Sequence, residues 1–247
     1  MYGLTGYPLF HSFSEKYFSE KFERENIGEC YRLFPLTDLQ SLDVLLTKNA
    51  DLRGLNVTIP YKKDIIKYLD ALSVDAERIG AVNVVKIHRN PDLEKPVLIG
   101  YNTDWKGFSL SLSPLLSGNE KSALVLGTGG ASAAVIFALK ELGIKPVMVS
   151  RHMREGVITY ADINGKILSE NLLIINTTPL GMFPDIDTAP PLPYHLLSSS
   201  HICYDLVYNP SETEFMKRCR QMGAIVKNGL EMLHIQAELS WEIWNEP

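Results

Sequence analysis

The sequence predicts an α/β protein of two domains, and three observations carry that expectation. Short apolar runs alternate with longer amphipathic ones almost throughout, the pattern of mostly parallel sheets with helical crossovers. The stretch "ALVLGTGGASAAVIFALKELGI" passes without a gap from strand to glycine turn to helix. Before it, "LSGNEKS" reads as a linker between two units. At 247 residues the chain has the length for one large domain or two modest ones, each able to bury a core.

The elements follow in order. "YFSEKFERENI" reads as a helix and "CYRLFPL" as a strand. "LQSLDVLLTKNADL" has its apolar residues at helical spacing, and "GLNVTI" is the next strand. "KKDIIKYLDALS" is expected to be a helix behind Pro60. "AVNVVKIHRN" and "PVLIGYN" are strands around a polar turn, and "DWKGFSLSLSPLL" is a helix. Beyond the linker, "PVMVS", "LLIINTT" and "ICYDLVY" continue as buried strands. "TAPPLPYH" is a proline-rich loop, and "EMLHIQAELSWEIW" is a helix with one apolar stripe. No internal repeat or low-complexity segment is present.

Composition excludes several function classes. The chain is 45% hydrophobic and 21% charged, with a mean hydropathy of −0.02, as an ordinary globular protein is. Its net charge is −5 and no basic run exceeds a lysine pair, so nucleic acid is not an expected partner. Cys30, Cys203 and Cys219 are an odd number without C-x-x-C spacing, and are expected to be reduced thiols of a cytoplasmic protein. No basic segment precedes an apolar one at the start, and no apolar run approaches bilayer length, so no membrane association is expected. No metal site is expected either.

Gly127, Gly129 and Gly130 sit between strand and helix, the context in which a glycine turn has meaning. The first permits a tight turn and the second lets backbone N–H groups approach a pyrophosphate at the positive end of a helix. Ser132 stands where the third glycine of the fingerprint would be; Ala131, Ala133 and Ala134 keep the helix start small. A plain βα turn is the alternative. An NAD site wants a carboxylate about twenty residues on. Here "PVMVS" ends at Ser150 and is followed by Arg151, His152, Met153 and Arg154. Two guanidinium groups and no carboxylate favour NADP, because the planar fork suits a 2′-phosphate. The alternative is that both arginines belong to a solvated loop.

Four polar clusters lie at strand ends of the first unit: Ser12 and Ser14; Asn56, Thr58 and Lys62; Asn83; Asn102 and Asp104. Ligands of α/β sheets sit beyond the carboxyl ends of strands, so the clusters could share a crevice. Hydroxyls, amides, one ammonium and one carboxylate suit a small polyhydroxylated acid. Each also has a bland alternative. Ser14 and Asp104 could cap helices, Asn56 could tie down a turn, and Lys62 could be solvated at a helix start.

Taken together the clusters resemble the shikimate dehydrogenase family. The stretches that carry the resemblance are "GYPLFHSFS", "NVTIPYK", "GAVNV", "GYNTDWKGF", "GTGGASAA", "INTTPLGM", "DLVYNPSETEF" and "GLEMLHIQAELSWEIW", in the family's order across nearly the whole chain. The resemblance implies a mostly parallel α/β substrate domain, residues 1–104 plus 230–247, and a Rossmann-like NADP-binding domain, residues 105–229, with the active site in the cleft between them. It implies Lys62 and Asp104 as the catalytic pair and Ser12 and Ser14 as holders of the substrate carboxylate. Thr58, Asn83, Asp104 and Gln236 correspond to residues that bind ring hydroxyls, and Tyr208 lines the same pocket. On the cofactor side it places NADP against Gly127, Gly129, Gly130 and Ala131, the segment from Ser150 through Arg151 to Arg154, and Thr177, Leu206 and Gly229. Gln236 lies so late that the last helix is expected to fold back onto the first domain.

The chain departs from the family at three places. Glu15 follows Ser14 where proline is usual, and "YFSEKF" takes the positions of a His-Asn pair. Ser150 and His152 replace the Asn and Thr of the usual N-R-T motif. The segment from Arg154 to Leu172 is much shorter than the usual crossover and holds "VITYADING", which reads as strand and turn, so a helix is expected to be missing there. The implied reaction is the reversible reduction of 3-dehydroshikimate to shikimate with NADPH, by a monomer or homodimer. Two readings stand beside it: an NAD-preferring quinate/shikimate dehydrogenase, and a catalytically silent cofactor-binding regulator on the same scaffold. The intact Lys62/Asp104 pair argues against the regulator.

Overall fold

The computed structural model describes residues 1–9 and 12–246. Phe10 and His11, the latter opening "HSFS", lie outside the described residues. The chain divides into two compact units, Met1–Thr103 with Gln236–Pro247, and Asp104–Ile235.

The first unit begins with β1 (Tyr2–Gly6), α1 (Phe13–Arg24) and β2 (Tyr31–Pro35). α2 (Leu42–Lys48), β3 (Gly54–Val57), β4 (Ala71–Leu72), α3 (Val74–Ile79), β5 (Val84–His88) and β6 (Val97–Tyr101) follow. The sheet order is β2-β1-β3-β5-β6-β4. β5 runs antiparallel to both β3 and β6, and the other pairings are parallel. The mostly parallel sheet expected from the alternation is thus present with one reversed strand, because β5 and β6 are joined directly by the polar turn. One face carries an aliphatic core including Leu46, Leu52, Leu55, Ile65 and Val85. The other carries an aromatic core in which Tyr2, Phe18, Tyr31 and Trp244 pack together.

A helix over 62–73 does not form. Its place is taken by a 3₁₀ turn, Asp64–Tyr68, and then by β4. Asp70 diverts the chain: its backbone N–H donates to Leu98 O at 2.9 Å and its carboxylate accepts from Leu98 N at 2.7 Å. Ser73 N then donates to Gly100 O at 2.8 Å, so pairing to β6 overrides helical spacing.

The second unit holds α4 (Asp104–Leu112), β7 (Ser122–Leu126), α5 (Gly130–Glu141), β8 (Lys145–Ser150), β9 (Val157–Thr159), α6 (Gly165–Glu170) and β10 (Leu173–Asn176). β11 (Ile202–Asp205), α7 (Glu214–Gln221), β12 (Ile225–Lys227) and α8 (Leu230–Asn245) complete the chain, with α8 passing into the first unit at Gln236. The sheet is parallel throughout, in the order β12-β11-β10-β7-β8-β9. Counted from β7 this is the 3-2-1-4-5-6 arrangement of dinucleotide-binding sheets, whose order reverses between β7 and β10. Buried aliphatic residues cover both faces, as a parallel sheet requires.

The segment from Arg154 to Leu172 does hold a short helix, α6, so the expected absence of a helix applies only to the connection directly after β8. Residues 151–156 connect β8 to the parallel β9 with no helix between them. Parallel strands ordinarily need a crossover of about a dozen residues or more. A shorter return suffices here because β9 has three residues, and Val157 need only reach the level of Met148. Among the described residues no helix is long and apolar enough to cross a membrane.

Candidate active site

Within the first unit, the substrate-side residues lie where strands end. Ser12 caps α1, its hydroxyl accepting from Ser14 N at 3.1 Å. The cap is therefore Ser12, and Ser14 stands in the first helical turn. Thr58 continues from β3, with its N–H on Thr5 O at 2.9 Å and its carbonyl taking Tyr61 N at 2.9 Å. That turn leads into Lys62, whose carbonyl accepts from Val82 N at 2.7 Å. Lys62 is thus tied by its main chain to the residue before Asn83.

Asn83 and Gln236 meet in a buried cluster. Thr103 N donates to Asn83 Oδ1 at 2.7 Å, so the amide of Asn83 turns its NH₂ the other way. That NH₂ donates to Thr103 Oγ1 at 2.9 Å and to Gln236 Oε1 at 3.2 Å. A backbone N–H can only donate, so its place decides the polarity of both side-chain amides. Thr103 Oγ1 also donates to Gln236 O at 3.1 Å, anchoring α8. The next residue, Asp104, is buried and begins α4. Asn102 belongs to the scaffold, its amide donating to Ala81 O at 2.9 Å.

Asn56 is scaffold as well. Its Oδ1 accepts from Tyr31 OH at 2.7 Å, and its NH₂ donates to Asn83 O at 3.3 Å and Ser240 Oγ at 3.2 Å. Thr103, Ser240 and Tyr31 were not singled out from the sequence. Thr103 stands between Asn102 and Asp104, which drew the attention in that motif, and Tyr31 and Ser240 are single hydroxyls that form no pattern along the chain. Buried polar groups of this kind are almost always hydrogen-bonded, and here they are bonded to one another.

Within the second unit, the cofactor-side residues follow the carboxyl ends of the parallel strands. Gly127 follows β7 with φ of +111°, a value that disfavours any side chain, and a Cβ there would stand 2.7 Å from Thr177 Oγ1. Thr177, after β10, returns its hydroxyl to Leu126 O at 2.7 Å. Gly129 caps α5 without a side-chain hydrogen bond, followed by Gly130 and Ala131 in the first turn. Leu206 and Tyr208 follow β11, and Gly229 precedes α8, where a Cβ would overlap the carbonyl oxygen of Leu206.

At the end of β8, Ser150 Oγ accepts from His152 N at 3.2 Å, and Arg151 and Arg154 are exposed. Arg151 lies close enough to Tyr160 to oppose the upward push that burial gives the Tyr160 hydroxyl. These features fit a dinucleotide: a helix start with its N–H groups uncovered, glycines where the backbone must come close, and guanidinium groups beyond the second strand.

Comparison with known proteins decides the family. The model of the shikimate dehydrogenase substrate binding domain matches residues 4–85. A shikimate dehydrogenase (NADP(+)) of Clostridium beijerinckii is 38% identical over 262 residues, covering 99% of this chain and 92% of the relative. The chain belongs to the shikimate dehydrogenase family. A crystal structure of a shikimate dehydrogenase in complex with NADP+ is similar at a TM-score of 0.87 and 31% identity, covering 99% of this chain and 89% of that one. The Thermus thermophilus shikimate 5-dehydrogenase, in complex with NADP(H) and shikimate, gives 0.84 and 32%, covering 99% and 92%. The resemblance read from the motifs is therefore borne out as membership of this family, over essentially the full chain.

Proposed function

We propose that this protein is an NADP-dependent shikimate dehydrogenase, interconverting 3-dehydroshikimate and shikimate. The first unit is the substrate-binding domain and the second the NADP-binding domain. The observation that carries the reading is the buried cluster of Asn83, Thr103 and Gln236, one residue from Asp104 and tied through Val82 to Lys62. In a chain of this family, such a cluster supplies oriented amides for ring hydroxyls beside an acid–base pair.

Ser12 and Ser14 hold the substrate carboxylate at the start of α1, where hydroxyls and the helix dipole favour negative charge. Thr58, Asn83, Asp104 and Gln236 bind the ring hydroxyls, and Tyr208 lines the pocket. Gln236 has its oxygen on Asn83, and its NH₂ is the donor proposed for a ring hydroxyl. Lys62 delivers charge and a proton to the oxygen that becomes the alcohol. Asp104 holds that hydroxyl and keeps the lysine aligned.

NADP is held by Gly127, Gly129, Gly130, Ala131, Thr177, Leu206 and Gly229, with Ser150, Arg151 and Arg154 at its 2′-phosphate. When bound it supplies or accepts the hydride. The test is turnover of shikimate with NADP and, separately, with NAD, followed by nicotinamide absorbance. NADP-supported oxidation is expected; no turnover with either cofactor would point to a silent regulator, and turnover favouring NAD to a quinate-type enzyme.

A further inference from the structure

Tyr31 has no part in the chemistry above, yet its hydroxyl stands at the root of the substrate-side cluster. It opens β2 with 6% of its surface exposed, its ring stacked on Phe18 at 4.8 Å and 13°. The hydroxyl donates to Asn56 Oδ1 at 2.7 Å. A side-chain amide has two ends of nearly equal shape, and its surroundings must choose between them. With the phenol donating at one end, the Asn56 NH₂ is turned to Asn83 O and Ser240 Oγ. Ser240 accepts there and donates its own proton to Gln236 O at 2.7 Å. Ser14 partly opposes the upward push that burial gives the Tyr31 hydroxyl.

A path of polar contacts therefore leads from Tyr31 through Asn56 and Ser240 to the main-chain carbonyls of Asn83 and Gln236, the two residues whose side-chain amides are proposed for the ring hydroxyls. We propose that Tyr31 is a positioning residue: its hydroxyl fixes the Asn56 amide, and through Asn56 and Ser240 it sets the placement of Asn83 and Gln236 for substrate. This deepens the shikimate dehydrogenase reading and rests on it. Without the phenolic proton, Asn56 Oδ1 is a buried acceptor with no donor from Tyr31. A flipped amide would then set that oxygen against Asn83 O, acceptor to acceptor.

The test is Tyr31→Phe, which keeps the ring and its stacking. The KM for shikimate is expected to rise about three- to tenfold, the size of one lost net hydrogen bond. The change in kcat should be smaller and the KM for NADP unaltered. Ser240→Ala should reproduce the effect, Ser240→Thr should restore much of it, and the Tyr31→Phe/Ser240→Ala double variant should fall short of the sum. A wild-type KM for shikimate in folded Tyr31→Phe would overturn the proposal, as would an equal loss toward both substrates. Side-chain amide NMR gives a readout independent of turnover: the Asn83 and Gln236 NH₂ signals should move in Tyr31→Phe, and unmoved signals would overturn it. If the wild type fails to oxidise shikimate, the functional reading falls, while the NMR result still decides the relay.

Discussion

Thr213 donates its hydroxyl to the buried carboxylate of Asp205 at 2.5 Å. Asn176 donates to the same carboxylate at 2.9 Å and Val207 N at 3.0 Å, so one side chain ties together the ends of β10 and β11 and the cap of α7. Burial nevertheless wins over these three donors and pushes Asp205 from 3.8 up to about 6. A carboxyl raised on folding is stabilising while protonated. Its contribution is complete below the unfolded value and is lost as pH rises through the folded one. Asp205→Asn, an isosteric mimic of the protonated form, should therefore gain on the wild type between about pH 4 and pH 6, by up to about 3 kcal/mol. Urea unfolding midpoints of both proteins across that range measure it, and parallel pH profiles would refute it.

Lys62 is expected to act on the chemical step. Lys62→Ala should lower kcat by about a hundredfold to ten-thousandfold and change KM for shikimate far less. Near-normal turnover with poor shikimate binding would reduce the residue to a binding role.

Ser12 caps α1, and with Ser14 it is proposed to hold the substrate carboxylate as well. Ser12→Ala removes the helix cap, and a loss of about 1 kcal/mol in stability is expected from that alone. The double variant Ser12→Ala/Ser14→Ala should also weaken shikimate binding by roughly 1.5–3 kcal/mol for each lost hydrogen bond to the carboxylate, leaving NADP binding unchanged. Isothermal titration separates the two effects: reduced stability with unaltered shikimate affinity would leave Ser12 as a cap and nothing more.

What could be read in advance depended on whether the signal was local. The strand, glycine turn and helix of β7 and α5 were legible because apolar periodicity changes at Gly127. The strand and turn after β8 were legible in "VITYADING", whereas α6 at Gly165–Glu170 was not foreseen. β1 was not foreseen: two glycines within five residues give weak strand propensity. Yet β1 lies between β2 and β3, where pairing on both sides decides the matter. The expected helix over 62–73 failed for the same kind of reason, long-range bonds from Asp70 and Ser73 to β6. In the candidate site, motif residues such as Lys62, Asn83 and Asp104 could be named from the chain. Thr103, Ser240 and Tyr31 could not, because strand register and the return of α8 bring them together across separations of 20 to 184 residues.

Cofactor choice is proposed to turn on the six-residue return between β8 and β9. Ser150 spends its hydroxyl oxygen on His152 N and brings no negative charge against a phosphate. Arg154 forms a backbone bridge to Val157, so the connection that carries both guanidinium groups is tied back at its β9 end. Arginine can pair with a 2′-phosphate in bidentate fashion and stack on the adenine. The phosphate is remote from the reacting carbon, so its binding contributes equally before and in the transition state and is felt in KM. NADP should therefore be preferred over NAD in the wild type. Arg151→Ala should erode that preference by raising the KM for NADP, with little change in kcat or in the KM for NAD. Values of kcat/KM for both cofactors, in wild type and variant, measure this. If the wild type prefers NAD, or if Arg151→Ala leaves the ratio unchanged, the phosphate is not held at this connection.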